Sequence, residues 1–135
     1  MTRLAEIDAA VEAFRPHVDP AAAAVHLLGL AEAVLERWVE ARGGVPTAET
    51  REGFRLLALH RQGAQDVPSF NACRETCREI AYHYNLLCLE PSAAQDLQRQ
   101  RMLALLVRHL ALFVSGKLET ERLGEFCCAS RPLRA

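Results

Sequence analysis

Apolar residues recur along most of this chain at the three- and four-residue spacing of an α-helix. The richest instance is the stretch from Pro68 to Leu89, PSFNACRETCREIAYHYNLLCL. Projected at about 100° per residue, Cys73, Cys77, Ile80, Tyr84, Leu87 and Cys88 fall within roughly a third of the circumference. Arg74, Glu75, Arg78 and Glu79 lie outside that arc. Tyr82, Leu86 and Leu89 form a second apolar stripe nearly opposite the first. A helix apolar on two sides belongs at the centre of a bundle or at a subunit contact.

Punctuation along the chain sets the other elements. Leu4, Ile7, Val11 and Phe14 make a stripe with Thr2 as cap and Pro16 as stop. Asp19-Pro20 opens a helix to about Arg42, an aspartate cap followed by proline at the first helical position. Its expected core face is Ala24, Val25, Leu28, Ala31, Leu35, Trp38 and Val39, and Gly43-Gly44 ends it. Pro46-Thr47 predicts a third helix to about Arg61, with Phe54, Leu57 and Ala58 inward. The cysteine-bearing helix spans 69–89, capped by Ser69 or Asn71 and stopped by Pro91. Ser92 to Gln95 reads as a capping box that opens a helix over 92–115, with Gly116 as its C-cap.

In that helix Met102, Leu106, His109, Leu110 and Phe113 share a face, and Leu103, Val107, Ala111 and Val114 cover much of the rest. It is the second candidate for a central or interface helix. A short helix is expected over 118–127, with a frayed tail from about 129. Alternating β-branched runs and Asn-Gly or Asp-Gly hairpin turns are absent from the sequence. The expectation is an all-α fold: a single domain over 1–135, a helical bundle of about five to six mainly antiparallel helices, with long helices near 20–42, 69–89 and 92–115.

Composition narrows the function classes. A formal net charge of -1 supplies no field for nucleic acid or an anionic membrane, so neither partner is expected. The longest apolar run, Met102 to Val114, falls short of the roughly 20 residues of a membrane span. The opening MTRLAEIDAAVE is acidic and amphipathic, unlike a signal peptide. Five cysteines is an odd number. On a helix Cys73 and Cys77 would hold their Cβ atoms about 5–6 Å apart, against about 3.5–4.5 Å in a disulfide. Free thiols and a reducing, cytoplasmic setting follow as expectations.

The sharpest chemical candidate is a soft-ligand set of Cys73, Cys77 and His83, with Cys88 and His109 nearby in the pattern. Thiolate and imidazole are what zinc or iron would choose. Against it, buried cysteines pack as small hydrophobes, and Cys-x-x-Cys spacing is missing. No cofactor is therefore predicted, with zinc or iron as the alternative. A redox variant needs no metal: Cys73 lies in the first turn of its helix, where the dipole lowers a thiol pKa. Glu75, Glu79 and His83 lack the Glu-x-x-His pairing of carboxylate-bridged metal bundles. His109 reads as a core histidine, and with Tyr84 it is a candidate to line a small-molecule pocket between the helices at 69–89 and 92–115. His17, His26 and His60 read as surface or loop residues, and Cys127-Cys128 as incidental thiols.

Nucleophile elbows, phosphate loops and dinucleotide fingerprints are missing, so no catalytic residues are named and the balance leans away from an enzyme. The leading expectation is a helical protein-interaction or regulatory module that self-associates as a homodimer, its other protein partner unspecified. A metal- or thiol-dependent protein and a small-molecule binder are the alternatives.

Overall fold

The computed structural model describes residues 3–121. They form an all-α bundle: α1 (Leu4–Ala13), α2 (Pro20–Ala41), α3 (Arg55–Gly63), α4 (Arg74–Leu89) and α5 (Asp96–Thr120), with a 3-10 turn at Pro68–Cys73 before α4. The described residues contain no β-strand, and no helix among them is long and apolar enough to cross a membrane. The expected Thr2 cap, the end of the 118–127 helix, Cys127-Cys128 and the tail lie outside the described residues.

The hub is α2, which packs against each of the other four helices. Asp19 caps it as its sequence predicts, accepting from the backbone N–H groups of Ala21 (3.0 Å) and Ala22 (3.4 Å). Its buried face is rotated from the expected one. Leu27 and Val34 are fully buried, whereas Val25 is exposed. Ala23, Ala24 and Ala31 are buried too, and these small side chains permit close approach of neighbouring helices.

The third helix starts later than the Pro46-Thr47 signal predicts. Glu52 and Gly53 both take positive φ, 55° and 85°, as the two central residues of a type I′ turn do. Arg51 and Phe54 close this turn with reciprocal backbone hydrogen bonds of 2.9 Å. Only then does α3 begin, so its inward residues are Leu56, Leu59 and His60 as well as Leu57. Arg55 fastens its start, donating to the Thr47 carbonyl at 2.8 Å and pairing with Glu32 (3.6 Å) and Glu36 of α2. Burial raises the Glu32 pKa against the pull of Arg55.

The remaining boundaries also shift. Ser69 and Asn71 sit inside the 3-10 turn and cap nothing, and Cys73 occupies the cap position of α4. At α5 the reaching-back carboxylate is Asp96, not Gln95: the Ser92 backbone N–H donates to both Asp96 carboxylate oxygens at 3.1 Å. Gly116 does not end α5. The helix runs on because Leu118 buries its side chain one turn later and Lys117 reaches Ser69 Oγ at 2.7 Å.

One cluster of buried side chains draws on all five helices. At its centre Trp38 stacks on Phe70 (centroids 4.7 Å apart, 8° between planes), and Phe70 in turn meets His60 and Phe113. Trp38 Nε1 donates to the Gly63 carbonyl at 2.9 Å. A Cβ on Gly63 would sit 2.8 Å from Trp38 Cδ1 and 3.0 Å from Phe70 Cε2. Gly63→Ala should therefore destabilise the fold by about 1–3 kcal/mol through overpacking, read as a lower urea midpoint. An unchanged midpoint would show that the stack shifts freely.

Candidate functional site

Three features stand out on this frame: a thiol pair in the core, a cleft of arginines beside it, and an apolar row on the outside of α5.

The thiol pair is positioned by the 3-10 turn. Cys73 ends that turn and Cys77 follows one helical turn into α4, so both side chains point inward; they are 2% and 0% exposed. Cys73 Sγ donates to the Phe70 carbonyl at 3.3 Å, and His60 Nε2 lies 3.2 Å from the same oxygen. The Cys77 thiol beside it and then the His60 imidazole stabilise a Cys73 thiolate and lower its pKa from 9.0 to about 6, against the opposing effect of burial. The Phe70 carbonyl, an acceptor, works with burial in favour of the thiol form. Donating to Cys73 and burial push the Cys77 pKa up, well above 9.0. The two thiols thus titrate as a pair whose first proton belongs mainly to Cys73.

The histidine beside the pair is His60, which its sequence context places at the surface but which is 5% exposed in the core. His83, expected with Cys73 and Cys77, lies on the flank of α4, away from the cysteine arc. Its ring stacks obliquely on Tyr82, its Nδ1 is buried without a hydrogen-bond partner, and burial lowers its pKa. Among the described residues no three His, Cys, Asp or Glu side chains come together as a metal-ligand group. Cys88 is half-buried beside Tyr84, where burial and then Cys88 raise the tyrosine pKa.

Tyr84 packs edge-on against Phe54 at 5.5 Å, and His109 is exposed on the opposite side of α5 from the core. The core face of α5 is instead Leu103, Val107, Leu110, Ala111, Val114 and Leu118. A cleft does open between the 51–54 turn, α3 and the start of α4. It has a volume of about 360 Å³, and His60 forms part of its wall.

The outward side of α5 carries Met102, Leu105, His109 and Leu112 at alternating three- and four-residue steps. Met102 is 40% exposed, Leu105 60% and Leu112 55%. Leu106 and Phe113 flank the row half-buried, and Arg108 borders it, paired with Glu12 of α1 at 2.6 Å. Compared with known proteins, the chain matches no family model, no curated protein and no solved structure.

Proposed function

We propose that this protein is a helical interaction module that pairs with a second copy of itself through the outer face of α5. The observation that carries this reading is the row Met102, Leu105, His109, Leu112. Its 3-4-3 spacing is that of a coiled-coil seam, and a seam of this kind is self-complementary. Continued to Gly116, where the small residue lets backbones approach, it spans about 20 Å of helix. Leu106 and Phe113 widen it. The core side of the same helix is filled by its own bundle, so the row is additional to what folding requires.

Leu105→Glu combined with Leu112→Glu places carboxylates in the seam without touching the core. The expected result in sedimentation or light scattering is a dimer for the native chain and a folded monomer for the double variant. A native chain that is a monodisperse monomer at high micromolar concentration would overturn the reading.

A second reading has its own support: a thiol-dependent redox or sensor protein. Cys73 is held beside Cys77 and His60 in an arrangement that favours its thiolate, the nucleophilic form. A cytoplasmic setting fits both readings, because it would keep Cys73, Cys77 and Cys88 as the free thiols that they are.

A further inference from the structure

We propose that the cleft between the 51–54 turn, α3 and the start of α4 binds a small phosphorylated sugar or nucleoside. Four of its nine lining residues are arginines, Arg51, Arg61, Arg74 and Arg78, and none is a carboxylate. They come from three separate segments of chain, so their convergence is a product of the fold and not of a basic run. Arg78 is neutralised by Glu52 through two hydrogen bonds of 3.0 and 3.2 Å. Arg51, Arg61 and Arg74 make no ion pair with any described residue.

Three guanidinium groups without a close ion-pair partner line one concavity, Arg74 being partly balanced by the field of Glu52, and a bound dianion relieves the repulsion that remains. Guanidinium forks match phosphate oxygens in geometry as well as charge. Donors carried on three separate segments can surround a tetrahedral phosphate more fully than a flat carboxylate. Leu57 and Ala64 give the cleft an apolar floor, and the Asn71 and Gln65 amides add neutral donors and acceptors.

The neighbouring cleft indicates what the phosphate is attached to. It shares Arg51, Arg61 and Gln65 with the first and continues along Thr47, Glu49 and Thr50, with a volume of about 570 Å³. The Thr50 hydroxyl and the Glu49 carboxylate there suit the hydroxyls of a polyhydroxyl body, while the Thr47 hydroxyl is engaged with Glu49. Glu49 at that end would repel a second phosphate. The polarity is therefore one phosphoryl group at the arginines and a hydroxylated body towards Thr47 and Thr50. The combined space falls in the range of small-molecule sites. The site is independent of the α5 seam, so the two proposals fail separately.

The test is calorimetric titration of the full chain, with phosphorus NMR, using ribose 5-phosphate, AMP, inorganic phosphate and citrate. Saturable binding of ribose 5-phosphate or AMP is expected, weaker for inorganic phosphate and weakest for citrate. Arg61→Gln and Arg74→Gln, both on exposed side chains and checked for unchanged melting, should each weaken it about tenfold or more. Arg101→Gln, exposed on α5, should leave it unchanged. Absence of saturable binding by either phosphate ester overturns the proposal. So does equal weakening by Arg101→Gln, which means diffuse surface charge, or tighter binding of citrate, which means a carboxylate site. Preference for a single-stranded RNA oligonucleotide over the monomers overturns the small-molecule assignment.

Discussion

Trp38→Ala is expected to lower the unfolding free energy by about 4 kcal/mol, towards the upper end for a single core truncation. The indole is fully buried, and three separate losses add at this one position. Its removal leaves a cavity against Phe70, whose ring lies parallel at 4.7 Å. It strands the Gly63 carbonyl, which now accepts from Nε1 at 2.9 Å. It also removes the ring beneath the Arg42 guanidinium (5.4 Å) and the Lys117 ammonium (5.9 Å), which close the core at this end. Trp38→Phe keeps most of the volume and loses only the hydrogen bond and part of the contact, so a loss of about 1–2 kcal/mol is expected. Urea unfolding of the two variants checks the pair of values. An alanine variant within about 1 kcal/mol of the native chain would mean that the stack is peripheral to stability, contrary to its place in the core.

That core shows which parts of the fold local sequence can specify. Asp19-Pro20 fixes the start of α2 because cap and first turn are decided by neighbouring residues. The start of α3 is not local in this way. The Glu52-Gly53 turn lacks the Asn-Gly or Asp-Gly signature, yet it forms because Arg55 and Gln62 staple the 45–54 segment across space. Gln62 accepts from the Thr47 N–H at 2.9 Å and donates to the Val45 carbonyl at 2.8 Å. Gly116 shows the opposite case. A glycine costs about 1 kcal/mol inside a helix, and burial of Leu118 outweighs it. In α5 the periodicity admits two apolar faces, and sequence alone does not choose between them. The bundle buries the Leu103–Val107–Leu110 side and leaves His109 outside.

The thiol pair is legible because Cys73, the cap of α4, and Cys77 lie four residues apart, where helical spacing gives orientation. His60 is not. It lies on α3, where Phe54 falls outside the helix and the inward face is Leu56, Leu57, Leu59 and His60 rather than the Phe54–Leu57–Ala58 side. Gln100 is a similar omission: it is 2% exposed and ties the backbone of His17 by two hydrogen bonds of 2.7 and 2.9 Å. The arginine cleft was invisible for a related reason, since no window of sequence holds Arg51, Arg61 and Arg74 together. Sites assembled from three segments become visible only once the bundle exists.

The thiolate ultraviolet absorbance of this protein should show a first step centred near pH 6 that belongs to Cys73. At neutral pH such a group is mostly ionised, whereas an ordinary thiol with a pKa near 9.0 is about 1% thiolate. The difference in nucleophilic form is roughly a hundredfold. Cys77→Ala removes the largest stabilising donor and should move the first midpoint upward. His60→Asn should move it upward by less, and Cys88→Ser should leave it in place. Linkage gives an independent readout with a defined sign. Because the folded-state pKa of Cys73 lies below the unfolded one, its contribution to stability is full above the unfolded value and is lost as pH falls through about 6. Stability should therefore climb with pH across the interval from about 6 towards 9.0, and the climb should flatten in Cys73→Ala. Above that interval Cys77, whose pKa is raised, reverses the trend. A first midpoint near 9.0 that ignores Cys77→Ala would make both cysteines ordinary packing residues and remove the thiol-dependent reading, leaving the α5 seam and the arginine cleft untouched.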